Sequence, residues 1–135
     1  MVKMIATYMG EKRCKVEHGP SKTILETDAP KDNQGRGESF SPTDLVATAL
    51  GTCILTTLAI VAERDEVDIK NSKMSVEKEM SPSPRKISSL KTIIELPKNI
   101  PEDYRRKLEA AGHSCPVKKS LHPDVNVSVE YRYVL

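Results

Sequence analysis

The sequence predicts an α+β fold in which antiparallel sheets enclose one long, strongly apolar helix. Short stretches of alternating apolar and polar residues occur on both sides of a single apolar segment, residues 41–62. That segment carries no charge between Asp44 and Glu63, although 30% of the chain is charged. An amphipathic helix with clear start and stop signals follows in the C-terminal third. At this length, we expect residues 1–135 to form a single domain.

Three strands are predicted at the beginning of the chain, at residues 2–9, 13–18 and 22–27. The first alternates Val2, Met4, Ala6 and Tyr8 with other residues, and turn signals at 10–12 and 18–21 separate the three segments. Such spacing favours an antiparallel meander. Residues 28–40 are rich in Gly, Pro, Asp and Asn, so we expect a loop that leads into the central helix.

The central helix is predicted to begin at Ser41, which can cap it, with Pro42 at the first helical position and Asp44 in the first turn. Its residues are apolar or small on nearly every face, as in a membrane span or a helix that protein covers on all sides. Its threonines make it weakly hydrophobic for a span, and no aromatic belt flanks it. We therefore expect a buried helix. Because a sheet covers only one side of a helix, the sequence also predicts a two-fold homodimer.

The second half of the chain predicts two strands, two helices and a last strand. Alternating residues lie at 67–80 and 90–96, separated by the Pro-rich loop at 81–84. A helix should begin at Pro101 and end just before Gly112, and a short helix should begin at Pro116. Residues 125–135 alternate strictly and predict the final strand. The expected order is β-β-β-α-β-β-α-(short α)-β.

The composition argues against several classes of function. The net charge is +2 without a basic block, and the chain has one Phe, four Tyr and no Trp, so neither nucleic acid nor an anionic membrane is expected as a partner. Residues 1–10 do not resemble a secretory signal, and the cysteine count of three is odd. We therefore expect a cytoplasmic protein with free thiols.

Two of the cysteines have contrasting local settings. Cys115 precedes the short helix that begins at Pro116, and Lys118 and Lys119 follow, so we expect a lowered pKa for the Cys115 thiol. Cys53 lies in the middle of the apolar helix, where a cysteine is usually a small core residue. If Cys53 is reactive, it needs a partner from another part of the chain, and we expect an arginine.

The remaining candidates carry weaker signals. Cys14 is interpreted as a passive strand residue, although its basic neighbours could favour its thiolate. His113 stands two residues before Cys115, but no C-x-x-C or H-x-x-x-H completes a metal motif. No metal and no cofactor are therefore predicted.

Two motifs taken together identify a resemblance to a known family. Residues 41–53 read S-P-x-D-L-x-x-x-A-L-G-x-C, and residues 113–121 read H-x-C-P-V-x-x-S-L. These motifs and the order of elements resemble the OsmC/Ohr family, the osmotically inducible protein C and organic hydroperoxide resistance proteins. The resemblance spans essentially the whole chain. It implies an intertwined homodimer in which sheets shared between the subunits wrap two central helices.

The resemblance also implies a thiol-dependent peroxidase without a cofactor. Cys53 matches the peroxidatic cysteine of the family and Cys115 its resolving cysteine. The expected substrates are organic hydroperoxides, with hydrogen peroxide reduced less well. A dithiol reductant would restore the two thiols.

The family also uses an arginine and a carboxylate beside its reactive cysteine. Arg13 is the best candidate for the arginine, and Arg36 is its rival. The carboxylate usually belongs to the Glu of an N-P-E-x-L segment, whose place Thr43 takes here, so Asp44 or Glu38 would have to substitute. This departure places the chain in the broader OsmC-like branch.

Two other functions remain open at this point. The Thr43 substitution is compatible with a redox-sensing or small-ligand-binding module that has kept the fold and cysteines but turns over little peroxide. A metal-binding protein that uses Cys53, Cys115 and His113 is the third alternative.

Overall fold

The computed structural model describes residues 1–135, and its elements follow the predicted order. The chain divides into two compact units, residues 1–46 and residues 47–135, which are described separately.

The first unit contains a three-stranded antiparallel sheet of β1 (Met4–Gly10), β2 (Arg13–His18) and β3 (Ile24–Asp28), in the order β1-β2-β3. This confirms the predicted meander, although β1 begins at Met4 and β3 ends one residue into the predicted loop. The loop itself contains a short 3₁₀ turn, Lys31–Asn33. Only polar residues of this unit are buried, namely Thr27, Asp28 and Ser41. The sheet therefore has no buried apolar side chain within the single chain.

The central helix, α1, runs from Pro42 to Arg64. Its buried residues recur at helical spacing along one face: Ala47, Leu50, Gly51, Ile54, Leu58 and Ala62. The rest of its apolar surface is only partly covered, and Ile60 is 49% exposed. By length and composition, α1 could also cross a membrane, a test that core helices pass too. Within one chain the helix is therefore covered along one face only. The sequence predicted a helix buried on all sides, with a second copy of the chain covering the faces that the sheet leaves open.

The sheet of the second unit consists of β4 (Lys73–Pro82), β5 (Arg85–Leu96) and β6 (Asn126–Tyr133), in that order. The pair β4–β5 is antiparallel, whereas β5 and β6 are parallel, so this sheet is mixed and not antiparallel throughout. The helical connection between β5 and β6 explains the difference, because a crossover of this kind returns the chain in its starting direction. Val67 and Ile69 lie in the connection before β4 and not in a strand.

Helices α2 (Glu102–His113) and α3 (Pro116–Ser120) form that connection. Gly112, which the sequence placed just past the end of α2, is a buried residue within the helix. The helix ends at His113, and the capping residue Ser114 follows; its N–H donates to the carbonyl of Ala111 at 3.0 Å. The fully buried side chains of α1, β5 and α2 make up the core of this unit, together with Cys115: Leu50, Ile54, Leu58, Leu90, Ile94, Leu96 and Leu108.

Candidate active site

The second unit brings two of the three cysteines together. Cys53 lies on α1 and is partly buried, and Cys115 immediately precedes α3 and is fully buried. Both are free thiols, and Cys53 is near enough to influence the protonation of Cys115. Residues that are far apart in the sequence therefore lie near each other in the core of this unit.

Burial decides the protonation of Cys115. It raises the pKa of this thiol, and the neighbouring side chain of Cys53 raises it further. The peptide N–H groups of Lys118 and Val117, at the start of α3, act in the opposite direction but do not prevail. The expectation of a lowered pKa was therefore wrong. A helix N-terminus of only five residues offers less to a thiolate than complete removal from water costs it.

Cys53 keeps some contact with solvent, so a small molecule from solution can reach it more easily than Cys115. The arrangement separates the two thiols by accessibility. Cys53 is available to an oxidant, whereas Cys115 is buried and keeps its proton.

The metal hypothesis finds no set of ligands. No group of three His, Cys, Asp or Glu side chains in residues 1–135 is arranged to hold a metal ion. The ring nitrogen Nδ1 of His113 lies 3.3 Å from Nζ of Lys118, and the ring packs edge-on against Tyr131.

An ionic cluster of Arg13, Asp28 and Glu38 dominates the first unit. Arg13 lies on β2 opposite Asp28 at the end of β3. Its guanidinium donates from Nε to Oδ1 of Asp28 at 2.8 Å and from Nη2 to Oδ2 at 2.9 Å, and Nη2 also donates to Oε2 of Glu38 at 3.0 Å. Arg13 and Glu38 were both predicted to be site residues, and the structure joins them by a hydrogen bond.

Asp28 is the residue of this cluster that sequence reasoning missed. Its side chain is 1% exposed, and its Oδ2 also accepts the N–H of Glu38 at 3.1 Å. The Arg13 hydrogen bond holds the pKa of Asp28 below its usual range and raises the pKa of Arg13. Asp28 thus fastens the loop at 29–40 to the sheet while it orients the arginine. Its place opposite Arg13 depends on the strand register, which the amino-acid pattern alone did not give.

The other predicted site residues have different partners. Arg36 forms an ion pair with Glu11. Asp44 and Ser41 cap α1 reciprocally: the N–H of Ser41 donates to Oδ2 of Asp44 at 2.8 Å, and the N–H of Asp44 donates to Oγ of Ser41 at 3.1 Å. The hydroxyl groups of Thr43 and Ser41 are 3.2 Å apart. Arg36 and Asp44 therefore already have structural contacts.

Comparison with known proteins gives consistent results. A family model described as OsmC-like protein matches residues 35–130. A Psychrobacter arcticus protein, proposed to act in the osmotic stress-induced and detoxification response, is 38% identical, with a TM-score of 0.93 over 98% of this chain and 96% of that one. An organic hydroperoxide resistance protein OsmC from Legionella pneumophila is 18% identical (TM-score 0.78; 98% and 96% covered).

A third solved structure, the organic hydroperoxide resistance protein OhrB of Bacillus subtilis, is 20% identical, with a TM-score of 0.68 over 98% of each chain. At this identity, the OhrB and Legionella structures support the shared fold. No curated protein matches the sequence.

Proposed function

The chain belongs to the OsmC-like protein family, and from this we propose that it is a thiol-dependent peroxidase that reduces organic hydroperoxides, with hydrogen peroxide a poorer substrate. The observation that carries the proposal is the placement of the partly exposed thiol of Cys53 near the buried, protonated thiol of Cys115 in one core. A two-cysteine peroxidase needs this pairing of a reachable thiol with a protected one.

In the first step, the thiolate of Cys53 attacks the distal oxygen of the hydroperoxide. The O–O bond breaks, the alkoxide leaves and takes up a proton to become the alcohol, and Cys53 becomes a sulfenic acid. The fully buried Cys115 is kept out of this step, because peroxide reacts with the thiolate and burial keeps Cys115 in its thiol form.

In the second step, the sulfur of Cys115 attacks the sulfur of the Cys53 sulfenic acid. The S–S bond forms, the S–O bond breaks, and the oxygen leaves as water together with the thiol proton. A dithiol reductant then exchanges with the disulfide, becomes oxidised itself and returns both cysteines to thiols. No cofactor is required at any stage.

Arg13 is the proposed catalytic arginine, which favours the thiolate of Cys53 and orients the peroxide. Its fixed, bidentate contact with Asp28 supports this assignment, since a guanidinium held in one orientation loses less entropy when it binds substrate. Glu38 contacts Arg13 and is the proposed substitute for the carboxylate that Thr43 replaces. Arg36 and Asp44 are weaker candidates for substrate binding because of their contacts with Glu11 and Ser41.

A homodimer in the cytoplasm is the proposed working form. Large apolar side chains of the first unit lie open in the single chain: Met4, Ile5, Tyr8, Met9, Ile24 and Leu25 are each at least 43% exposed. A three-stranded sheet with no buried apolar face is not stable by itself in water, and a second copy would cover it. Sedimentation equilibrium should therefore give twice the chain mass.

One experiment tests the peroxidase directly. The reduced protein is treated with one equivalent of cumene hydroperoxide, and its thiols and intact mass are measured. Two thiols should disappear into a disulfide between Cys53 and Cys115, and Cys53→Ser should abolish turnover with a dithiol. Cys14→Ser, which changes the third cysteine, is the matched control and should turn over normally. Wild-type turnover by Cys53→Ser would refute the mechanism.

The Thr43 substitution favours a second candidate, a redox sensor or small-ligand module with little turnover. In that case the disulfide would form slowly after addition of cumene hydroperoxide, and no dithiol would sustain repeated cycles. Steady-state turnover with several dithiols separates this candidate from the peroxidase.

A further inference from the structure

The last turn of α2 lies against β6 with no space between them at Gly112. A Cβ atom at this position would collide with the hydroxyl oxygen of Tyr131, and it would lie 3.3 Å from the ring carbon Cζ of Tyr131 and 3.4 Å from Cγ2 of Ile54. Glycine inside a helix is unfavourable by about 0.5–1 kcal/mol relative to alanine. The close approach of Tyr131 explains why this buried helical position lacks a side chain.

Tyr131 contacts this turn at three places. Besides its position under Gly112, its hydroxyl donates to the carbonyl of Glu109 at 3.4 Å, and its ring packs edge-on against His113 with 6.4 Å between the ring centroids. Burial is the main cause that raises the pKa of Tyr131 to about 12, and the charge of Glu109 is the next. The hydroxyl therefore remains protonated, and Tyr131 packs against the end of α2 as a neutral side chain.

The segment that follows Gly112 carries Cys115. Ser114 holds the end of α2 through its N–H and its hydroxyl, both of which donate to the carbonyl of Ala111, at 3.0 and 2.7 Å. The carbonyl of Cys115 then accepts the N–H of Lys119 in α3 at 3.2 Å. Little freedom remains between Gly112 and Cys115, so a displacement of the turn moves the thiol.

The residue that follows Cys53 lies close to the same glycine. Ile54 follows Cys53 on α1, and its Cγ2 is the third atom nearest to the empty position at Gly112. We propose that Tyr131 is a positioning residue for disulfide formation. By packing against Gly112 and holding it beside Ile54, Tyr131 sets the distance between Cys115 and Cys53. This inference rests on the proposed function and adds to it a residue that takes no part in the making or breaking of bonds.

The chemistry makes the distance important. A disulfide requires Cα atoms roughly 4.4 to 6.8 Å apart and a narrow range of dihedral angles. A misplacement of about 1 Å can slow a reaction between two held groups by about a hundredfold. The first step, between Cys53 and peroxide, does not use Cys115 and should not feel such a shift.

The test combines Gly112→Ala with Tyr131→Phe. Gly112→Ala should slow disulfide formation by about tenfold to a hundredfold, whereas sulfenic acid formation at Cys53 keeps its wild-type rate. Tyr131→Phe removes the atom with which the new Cβ collides, so the double variant should recover most of the lost rate. Tyr133→Phe is the matched control, because its hydroxyl bonds instead to Oε1 of Glu109 at 2.8 Å. It should not rescue Gly112→Ala.

Rapid mixing with cumene hydroperoxide, followed by acid quench and mass analysis, separates the two steps. A Gly112→Ala variant that closes its disulfide at the wild-type rate would overturn the inference, as would equal rescue by Tyr133→Phe. If Gly112→Ala does not fold, Tyr131→Ala takes its place. It should slow disulfide formation about tenfold and leave the first step unchanged, and wild-type closure by that variant would also overturn the inference.

A second readout is independent of peroxidase activity. In a buffer of reduced and oxidised glutathione, the two protein thiols give their hydrogens and electrons to oxidised glutathione and become a disulfide. Each protein disulfide releases two molecules of reduced glutathione, so the equilibrium constant equals the square of the reduced glutathione concentration divided by the oxidised concentration at half-oxidation. This constant should fall about tenfold or more in Gly112→Ala, because a misplaced pair forms a strained disulfide, and should return with Tyr131→Phe. If peroxide does not react with Cys53 at all, the proposed function fails, and this equilibrium still decides the role of Tyr131.

Discussion

The guanidinium of Arg13 holds the carboxylate of Asp28 through two parallel hydrogen bonds, Nε to Oδ1 at 2.8 Å and Nη2 to Oδ2 at 2.9 Å. The two residues face each other across β2 and β3, so the strand register itself sets this contact. The same carboxylate accepts the N–H of Glu38 from the following loop. One buried side chain thereby orients the proposed catalytic arginine and fixes the loop beside it.

We expect Asp28→Asn to impair peroxidase activity without unfolding the protein. An amide cannot accept both guanidinium hydrogen bonds, so Arg13 loses its fixed orientation. The value of kcat/KM for cumene hydroperoxide should fall by about tenfold to a hundredfold, and limited proteolysis should cut the loop at 29–40 faster. Glu17→Gln is the matched control, because it breaks an exposed ion pair of the same sheet, that with Lys22. Equal kinetics of the two variants would contradict the role of Asp28.

Asp28 should also contribute to the acid sensitivity of the fold. Arg13 lowers the pKa of this carboxyl below its ordinary value of 3.8. A lowered pKa stabilises the folded state fully above the ordinary value, and this stabilisation is lost as the pH falls through the pKa of the folded state. Urea unfolding from pH 7 downward should therefore show a gap between wild type and Asp28→Asn that narrows below about pH 4.

The comparison for this acid effect is Asp124→Asn. The pKa of Asp124 is also lowered, by Lys86, but both side chains are largely exposed, and solvent screens such pairs. Its gap to wild type should be the smaller one at neutral pH. An Asp28→Asn gap that does not change between pH 7 and pH 3 would show that the ion pair does not stabilise the fold.

The buried thiol of Cys115 should be the slowest of the three cysteines to react with N-ethylmaleimide. Cys14 and Cys53 are partly exposed, whereas Cys115 is fully buried and its pKa is raised from an ordinary value of 9.0. Since the thiolate is the reactive form, labelling of Cys115 should still accelerate as the pH rises above 9. Peptide mass analysis at intervals follows each cysteine. Labelling of Cys115 before Cys53 at pH 7 would restore the opposite expectation, of an activated thiol.

Local signals explain how much of the fold the sequence predicted. Helix caps, prolines and the alternation of apolar and polar residues are properties of neighbouring residues. The helix that begins near Ser41 and the strands around it were therefore predicted with small errors in their ends. Gly112 was misread because a glycine after an amphipathic stretch usually ends a helix. Its actual cause is Tyr131, which is distant in the sequence. Alternation is also the same in either strand direction, so the parallel position of β6 was not predictable from it.

In the candidate site, too, the features carried by local sequence were predicted, and those that depend on distant residues were not. Cys53 and Cys115 were identified from motifs and a family resemblance, but the pKa of Cys115 depends on burial, which its helix-start position could not indicate. Asp28 was assigned to the beginning of a loop rich in polar residues. Its partnership with Arg13 follows from the pairing of β2 with β3, a non-local fact.

Asp44 should prove to be a capping residue and not a substrate contact. Because its carboxylate and the hydroxyl of Ser41 each accept a backbone N–H at the start of α1, Asp44→Ala should lower the free energy of unfolding by about 0.5–2 kcal/mol. Ser41→Ala should act similarly, and the double variant should lose less than the sum. The KM for cumene hydroperoxide should stay unchanged in both single variants. A KM that rises only in Asp44→Ala would assign this carboxylate to the substrate.

Glu38 is expected to supply the carboxylate that Thr43 does not. Its Oε2 accepts a hydrogen bond from Nη2 of Arg13, but 61% of its side chain is exposed, so solvent weakens the pair. Glu38→Gln should therefore reduce kcat/KM by only about twofold to fivefold, with the difference from wild type shrinking as salt is added. Glu11→Gln is the matched control, since it releases the rival Arg36 from its ion pair and leaves Arg13 unchanged. Its kinetics should equal those of wild type, and a loss confined to Glu11→Gln would transfer the role from Arg13 and Glu38 to Arg36.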